Sequence, residues 1–426
     1  MLQQCLWRLT SGETVPSLPR LEGERHTEVC VIGGGITGLS CALHLQEYGI
    51  KALLLEAAEL AEGGSGRNVG LVNAGMWLPP EDICQRLGKD LGDRANQQLA
   101  EAPALVFDLI ERYRIQCDAR RQGTLHLAHN AAGVRSLEQR HAQFQRQGAP
   151  VELFQGADAA QLTGSERIPA VLLDRRAGVI NPYAYTLGLA RAAMAGGAQL
   201  YCRSPVISLQ REASGWRVQT PTGSVLADQV VLASNAYTEG EWTELTRHFF
   251  AGYYYQVASA PLSGAAADAI LPGGQGAWDT RKVLSSICRD TDGRLILGSL
   301  GSGEHKPVSW LRCWAQRIQR HYFPDLPEVE WQLHWSGRMG FTPDHVMRLF
   351  SPAPGLLAAS GYNGRGNTTG TLVGKGFAQW LAEGSDRGLP LPLSQPVAIS
   401  ARQLRSVAYE AGFSLYHAGQ CLKVLI

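Results

Sequence analysis

The chain has 426 residues, 45% of them apolar, with 39 basic and 38 acidic side chains and a formal net charge of +1. That length suffices for two or three domains with sizeable cores. The charge balance excludes the basic field of a nucleic-acid binder and points to a small-molecule partner. Nine cysteines without a CxxC pair exclude a disulfide framework and a zinc site; they predict reduced thiols, with Cys30 and Cys41 in the core. The N-terminus lacks the order of a secretory signal, and Val29–Leu45, the longest uncharged run, is too short and glycine-broken to span a membrane. A cytoplasmic location is expected.

In chain order, Val29–Ile32 predicts a buried strand that runs into Gly33-Gly34-Gly35-Ile36-Thr37-Gly38, a GxGxxG sequence. A helical pattern through Leu39, Ala42, Leu43 and Leu45 ends at Gly49, and a second strand, Ala52–Leu55, stops at Glu56. Gly33 permits the tight turn, Gly35 lets a pyrophosphate approach the backbone, and Gly38 lets helix and strand pack closely. The helix start then offers free N–H groups and a positive dipole end. Glu56, about 20 residues on, is placed for ribose hydroxyls and would repel a 2′-phosphate, which argues against NADP. GxGxxG alone is weak evidence; in this order it identifies a dinucleotide-binding unit.

Where an NAD-type unit would continue with strand and helix, this chain has the small-residue loop Ala61-Glu-Gly-Gly-Ser65-Gly66-Arg67-Asn68-Val-Gly70. Further on come Gly178–Pro182, the helical Tyr185–Met194, Val206 and the strand Val225–Asn235. Near the end a strand, Gly355–Ser360, enters Gly361-Tyr362-Asn363-Gly364-Arg365-Gly366, with a helix from about Thr368. In these segments the chain resembles the D-amino-acid-oxidase-like flavoproteins, which include sarcosine and glycine oxidases. Ser65–Asn68, Gln116–Asp118, Asn235–Tyr237, Trp335–Gly337 and Gly361–Gly364 look like landmarks of the gamma-glutamylputrescine oxidoreductase-like branch; bacterial L-pipecolate oxidases share the pattern.

The resemblance implies an α/β fold with a discontinuous Rossmann-type FAD-binding domain (1–84, 177–240 and 337–426). An α+β substrate domain on an antiparallel sheet would hold 85–176 and 241–336. Strand signals at Gly123–Ala128, Val171–Asp174 and Leu295–Gly298, and a helix over Leu311–Tyr322, agree with this. Gly388-Leu-Pro-Leu-Pro-Leu reads as an extended surface wrap. Leu404, Val407, Ala408, Ala411 and Leu415 share one helical face, expected to dock on the chain itself, with peripheral membrane contact as the minority reading.

Besides Gly33, Gly35, Gly38 and Glu56, the resemblance implies cofactor contacts from Ile36, Thr37, Ser65, Gly66, Arg67, Asn68 and Val206. At the C-terminal turn it implies Gly361, Tyr362, Asn363, Gly364, Gly366 and Thr368, where N–H groups can hold the flavin edge that gains negative charge on reduction. Gly337 stands where sarcosine oxidases carry their flavin-linking cysteine, so FAD is expected to be noncovalent. Thr368 stands where they carry a carboxylate-binding lysine, so another cation is needed. Arg338 and Arg365, ahead of Arg67, are the candidates, since a guanidinium fork suits a carboxylate. One of Tyr253 and Tyr255, which share a strand face, is expected to line the pocket, with Trp335 equally open.

The expected function is FAD-dependent oxidation of the C–N bond of a small amine or amino acid to an imine, with oxygen or a quinone as acceptor. A cyclic or secondary amino acid such as L-pipecolate is favoured, and gamma-glutamylputrescine is the runner-up. The readings of another class are a non-catalytic or tRNA-modifying flavoprotein, disfavoured by the absence of a basic stripe, and an NAD-dependent dehydrogenase. No metal is expected.

Overall fold

The structure is a computed structural model, and it describes residues 1–238, 247–304 and 306–422. Two large sheets organise these residues. The first is mainly parallel. Gly23–Ile32 lies between Gly223–Leu232 and Ala52–Leu55, in the register Cys30 to Val230 and Val31 to Leu54. Gln199–Tyr201 extends one edge, and Leu356–Ser360, Arg348–Ala353 and Leu393–Ser394 extend the other. Val29–Ile32 is buried on both faces because the sheet is covered on both sides. Cys30 and Cys41 are buried, and the nine cysteines are free.

On one side of this sheet, helix Ile36–Glu47 crosses helix Gly366–Glu383 at close range. A Cβ on Gly374 would sit 2.4 Å from the Thr37 carbonyl oxygen, so glycine is what allows the approach. Ser40 Oγ donates to the Thr371 carbonyl at 2.7 Å. The N-terminal and C-terminal ends of the chain are thereby locked into one layer.

The second sheet runs, in order, Leu2–Gln3, Trp331–Phe341, Phe250–Pro261, Arg294–Leu300, Ser285–Arg289, Gly276–Asp279, Thr124–Leu127, Ala170–Asp174 and Val151–Gln155. It departs from a purely antiparallel sheet at two parallel pairs, Leu2–Gln3 with Trp331–Phe341 and Gly276–Asp279 with Thr124–Leu127. The first of these brings the N-terminus into this sheet, and Trp331–Phe341 runs past residue 337. The boundary between 240 and 241 lies outside the described residues. Helix Val308–Tyr322 covers this sheet through Leu311, Trp314, Ile318 and Tyr322.

Two expectations for the tail are corrected. Leu389 and Leu391 are buried in the first core, so that segment is packed rather than wrapped over the surface. Helix Arg402–Cys421 docks by Phe413, His417 and Gln420, whereas Leu404, Val407 and Leu415 are 68%, 66% and 74% exposed. The docked face is favoured because it also hydrogen-bonds. His417 Nε2 pairs with the Leu300 carbonyl, Trp314 Nε1 donates to Gln420 Oε1, and Glu410 accepts the N–H groups of Tyr253 and Ser302.

Candidate active site

The glycine turn follows from strand geometry. Gly33 adopts φ +114°, which favours glycine, and a Cβ on Gly38 would lie 2.0 Å from the Gly33 carbonyl oxygen. At the end of the next strand Glu56 accepts the N–H of Gly34 at 2.6 Å and of Ala58 at 2.9 Å. Burial pushes its carboxyl above the usual range while those two N–H groups oppose the shift. Ser65 Oγ accepts from Ile36 N at 3.0 Å, fixing the small-residue loop on the helix start.

The C-terminal turn is built by backbone that few sequences tolerate: Gly361, Asn363 and Gly364 have φ of +75°, +50° and +83°. Asn363 is held internally, its Oδ1 accepting from Thr342 N at 3.0 Å. Tyr362 Oη pairs with Thr37 Oγ1 at 3.0 Å, joining this turn to the first helix. Asn68 and Asn367 exchange two amide hydrogen bonds, of 2.8 and 2.9 Å, joining it to the small-residue loop. Asn235 Oδ1 accepts from Gly361 N at 3.0 Å. Three segments far apart in sequence therefore meet around one helix start, Gly366.

Between them lies a cavity of about 830 Å³, near the upper end for ligand pockets. Glu56, Ser204 and Val206 line one part of it, the glycine turn and Tyr362–Gly366 another, and Trp77, Trp278, Ser286, Leu300, Arg338 and Tyr254 a third. Helix N–H groups beside side-chain-free glycines, with a half-buried carboxylate at the following strand end, are the donor and acceptor set that a dinucleotide requires. The residues fit FAD.

Sequence-predicted residues fall into three groups. Gly33, Gly35, Ile36, Thr37, Glu56, Ser65, Asn68, Val206, Tyr362, Asn363, Gly364, Gly366, Arg338 and Arg365 line the cavity. Gly38, Gly361 and Thr368 shape it from behind; Thr368 Oγ1 donates to the Asn73 carbonyl at 3.0 Å. Gly66 and Arg67 instead border a second, smaller pocket with Trp335. Arg67 Nη1 donates to the Ser336 carbonyl at 3.3 Å, and its charge still reaches Tyr237 and Tyr254 of the main cavity.

The tyrosine expectation is corrected in the same way. Tyr255 packs in the second core against Trp314, with ring centroids 4.9 Å apart, and Tyr253 shares its strand face. Tyr254 lines the cavity. It pairs across the sheet with Gly337, and a Cβ on Gly337 would lie 2.2 Å from its phenol oxygen. The space that a side chain at 337 would need is thus filled by Tyr254. A large side chain facing a glycine was the signal available in the sequence, but it needs the register to be read.

Sequence reasoning also missed Trp77 and Trp278. Trp278 stacks on His126, centroids 4.8 Å apart, and the Arg365 guanidinium carbon lies 5.2 Å from the Trp278 ring centre. Burial, then the nearby charges of Arg140 and Arg365, holds His126 well below the usual imidazole range. Arg365 Nε has no hydrogen-bond partner among the described residues. Burial and then Arg140 push that guanidinium down to about 9. Arg338 rests over the Tyr237 ring at 4.7 Å, and its N–H donates to Tyr237 Oη at 3.0 Å.

Comparison with known proteins agrees with this geometry. The chain is 29% identical over 411 residues to the probable oxidoreductase OrdL of Haemophilus influenzae, covering 94% of this chain and 93% of that one. It is 29% identical over 365 residues to gamma-glutamylputrescine oxidoreductase of Escherichia coli, covering 84% of each. The crystal structure of glycine oxidase from Geobacillus kaustophilus superposes with a TM-score of 0.73 at 21% identity, over 88% of this chain and all of that one. Residues 28–380 match the family described as DAO, FAD dependent oxidoreductase. The chain belongs to that family: it is an FAD-dependent oxidoreductase of amines and amino acids.

Proposed function

We propose that the chain oxidises the C–N bond of a small amino acid to an imine, with the substrate carboxylate held by Arg365. The observation that carries this reading is the Arg365 guanidinium in the cavity wall, still a cation at neutral pH, its Nε without a partner among the described residues and its pKa lowered by burial. Among the described residues no carboxylate forms an ion pair with this half-buried cation, Asp174 acting on it only from a distance, and a substrate carboxylate would supply both charge and acceptors. Trp77 and Trp278 add aromatic area to the same cavity, suited to the ring or chain of the substrate.

FAD, when bound, supplies the acceptor for the two electrons leaving the substrate carbon as the C=N bond forms. Gly35, Ile36, Thr37 and Glu56 would hold its pyrophosphate and ribose, and the start of helix Gly366–Glu383 its flavin edge. This chain's residues orient and exclude water; no protein base is required at the reacting carbon when the amine is neutral. Tyr254, filling the space beside Gly337, supports noncovalent cofactor binding.

Among substrates, a cyclic or secondary amino acid such as L-pipecolate would bring a carboxylate to Arg365 and an apolar ring to the aromatic lining of the cavity. Gamma-glutamylputrescine, the substrate named for the Escherichia coli relative, also carries a carboxylate and is the second reading. Mixing the holoprotein anaerobically with L-pipecolate, sarcosine or gamma-glutamylputrescine and following flavin bleaching tests both. Bleaching by an uncharged amine in preference to all three would reject the carboxylate reading.

A further inference from the structure

Helix Arg402–Cys421 leaves an apolar row turned outward. Leu404, Val407, Leu415 and Leu422 are each at least 66% exposed, and Ala408, Ala411 and Gly412 between them are exposed as well. Spacings of three and four residues put these positions on one side of the helix. The opposite side is fully used in docking through Phe413, His417 and Gln420. Among the described residues the row is therefore left uncovered.

Its surroundings are cationic. Lys306 Nζ donates to Ser414 Oγ at 3.1 Å, beside Leu415. Arg405 stands one residue from Leu404, and Arg317 on the neighbouring helix acts on Cys421, next to Leu422. The two helices, Val308–Tyr322 and Arg402–Cys421, carry Arg312, Arg317, Arg320, Arg402 and Arg405 against one acid, Glu410. That carboxylate is turned inward onto the N–H groups of Tyr253 and Ser302. The acids of the flanking loops are Glu304 before the first helix and Asp325, Glu328 and Glu330 after it; Glu328 accepts from Gln316 of that helix at 3.0 Å.

We propose that this face lies on an anionic lipid surface, with Leu404, Val407, Leu415 and Leu422 entering the headgroup boundary and Lys306, Arg317 and Arg405 meeting lipid phosphates. An apolar row edged by cations, with its acid withdrawn, is the pattern of an interfacial helix. A second copy of the chain is the weaker occupant, because a two-fold contact would bring the same cations against one another. The contact is peripheral: among the described residues no helix is long and apolar enough to cross a membrane. None of these residues lines the large cavity.

The test is flotation of the full-length, FAD-loaded protein with vesicles of phosphatidylcholine alone or with added phosphatidylglycerol. Binding to the phosphatidylglycerol vesicles, weakened by salt, is expected. Leu404→Glu with Leu415→Glu should cut it by about tenfold or more, given what two buried leucines contribute. Lys306→Glu with Arg405→Glu should remove the preference for anionic vesicles while leaving flavin absorbance and substrate bleaching unchanged. Protein that stays with the aqueous fraction at low salt overturns the proposal, as does undiminished binding of both variants. A dimer that Leu404→Glu dissociates, without vesicle binding by the parent, would assign the face to a second copy instead.

Discussion

Replacing Arg365 by Met isolates the charge at the centre of the proposed substrate site. Methionine keeps much of the aliphatic volume beside Trp278 but removes the fork of donors. Arg365 is half-buried in the cavity wall and lies between Trp278 and the turn that the flavin needs. Loss of a desolvated, charge-assisted pair costs about 2–5 kcal/mol, so apparent affinity for a carboxylate substrate should fall roughly thirty- to several-thousand-fold. Anaerobic stopped-flow bleaching at graded concentrations of L-pipecolate reads that affinity directly. Piperidine, which lacks the carboxylate, is the control and should bind parent and variant alike. FAD content should stay near normal, because Arg365 precedes the helix start without donating its side chain to the turn. Equal loss of affinity for both ligands, or none for either, would refute the assignment. Arg338→Met under the same protocol should have the smaller effect, since that guanidinium already rests on Tyr237.

Glu56→Ala should weaken FAD binding by about 1–3 kcal/mol, the range for losing its hydrogen bonds to the ribose, and Glu56→Gln by less; unchanged affinity in fluorescence titration of the apoprotein would count against its role. Gly337→Ala should lower thermal stability by about 1–3 kcal/mol through overpacking against Tyr254, and Tyr254→Ala should relieve that loss in a double-mutant cycle. For pH, burial holds His248 down to about 3, below its unfolded value. The unfolded chain then binds the proton first, so stability is full above the unfolded pKa, near 6.5, and falls as pH drops toward about 3. Each such histidine contributes a slope of about 1.4 kcal/mol per pH unit in that window. His248→Gln should flatten the acid limb of the melting temperature, and an unchanged limb would show that His248 is not its source.

The residues that could be read from the sequence and those that could not differ in kind. Gly33, Gly38 and Glu56 were legible because what they do is local: a positive φ, a close helix–strand approach, a carboxylate at a strand end. The same holds for Gly361, Asn363 and Gly364, whose backbone demands show in their identities. Arg67 was less legible, because a loop position does not fix a direction; its side chain donates to the Ser336 carbonyl and borders the smaller pocket. Alternation correctly put Tyr253 and Tyr255 on one face, but the face that meets the cavity is set by pairing with Gly337, more than eighty residues away. Trp77 and Trp278 belong to no motif; both line the cavity, and the folded sheet brings Trp278 to Arg365.

The C-terminal helix shows why periodicity alone can mislead about burial. Its apolar row has the spacing of a core face, yet the chain buries the row of Phe413, His417 and Gln420 instead. That side combines aromatic area with hydrogen bonds to Leu300 and Trp314, which a leucine row could not make. Both faces cannot be buried against one surface, so the more polar one, matched by partners already in place, wins. The apolar row is then left outward with its cations, and its cost in exposed hydrocarbon is offset only if something outside the chain covers it.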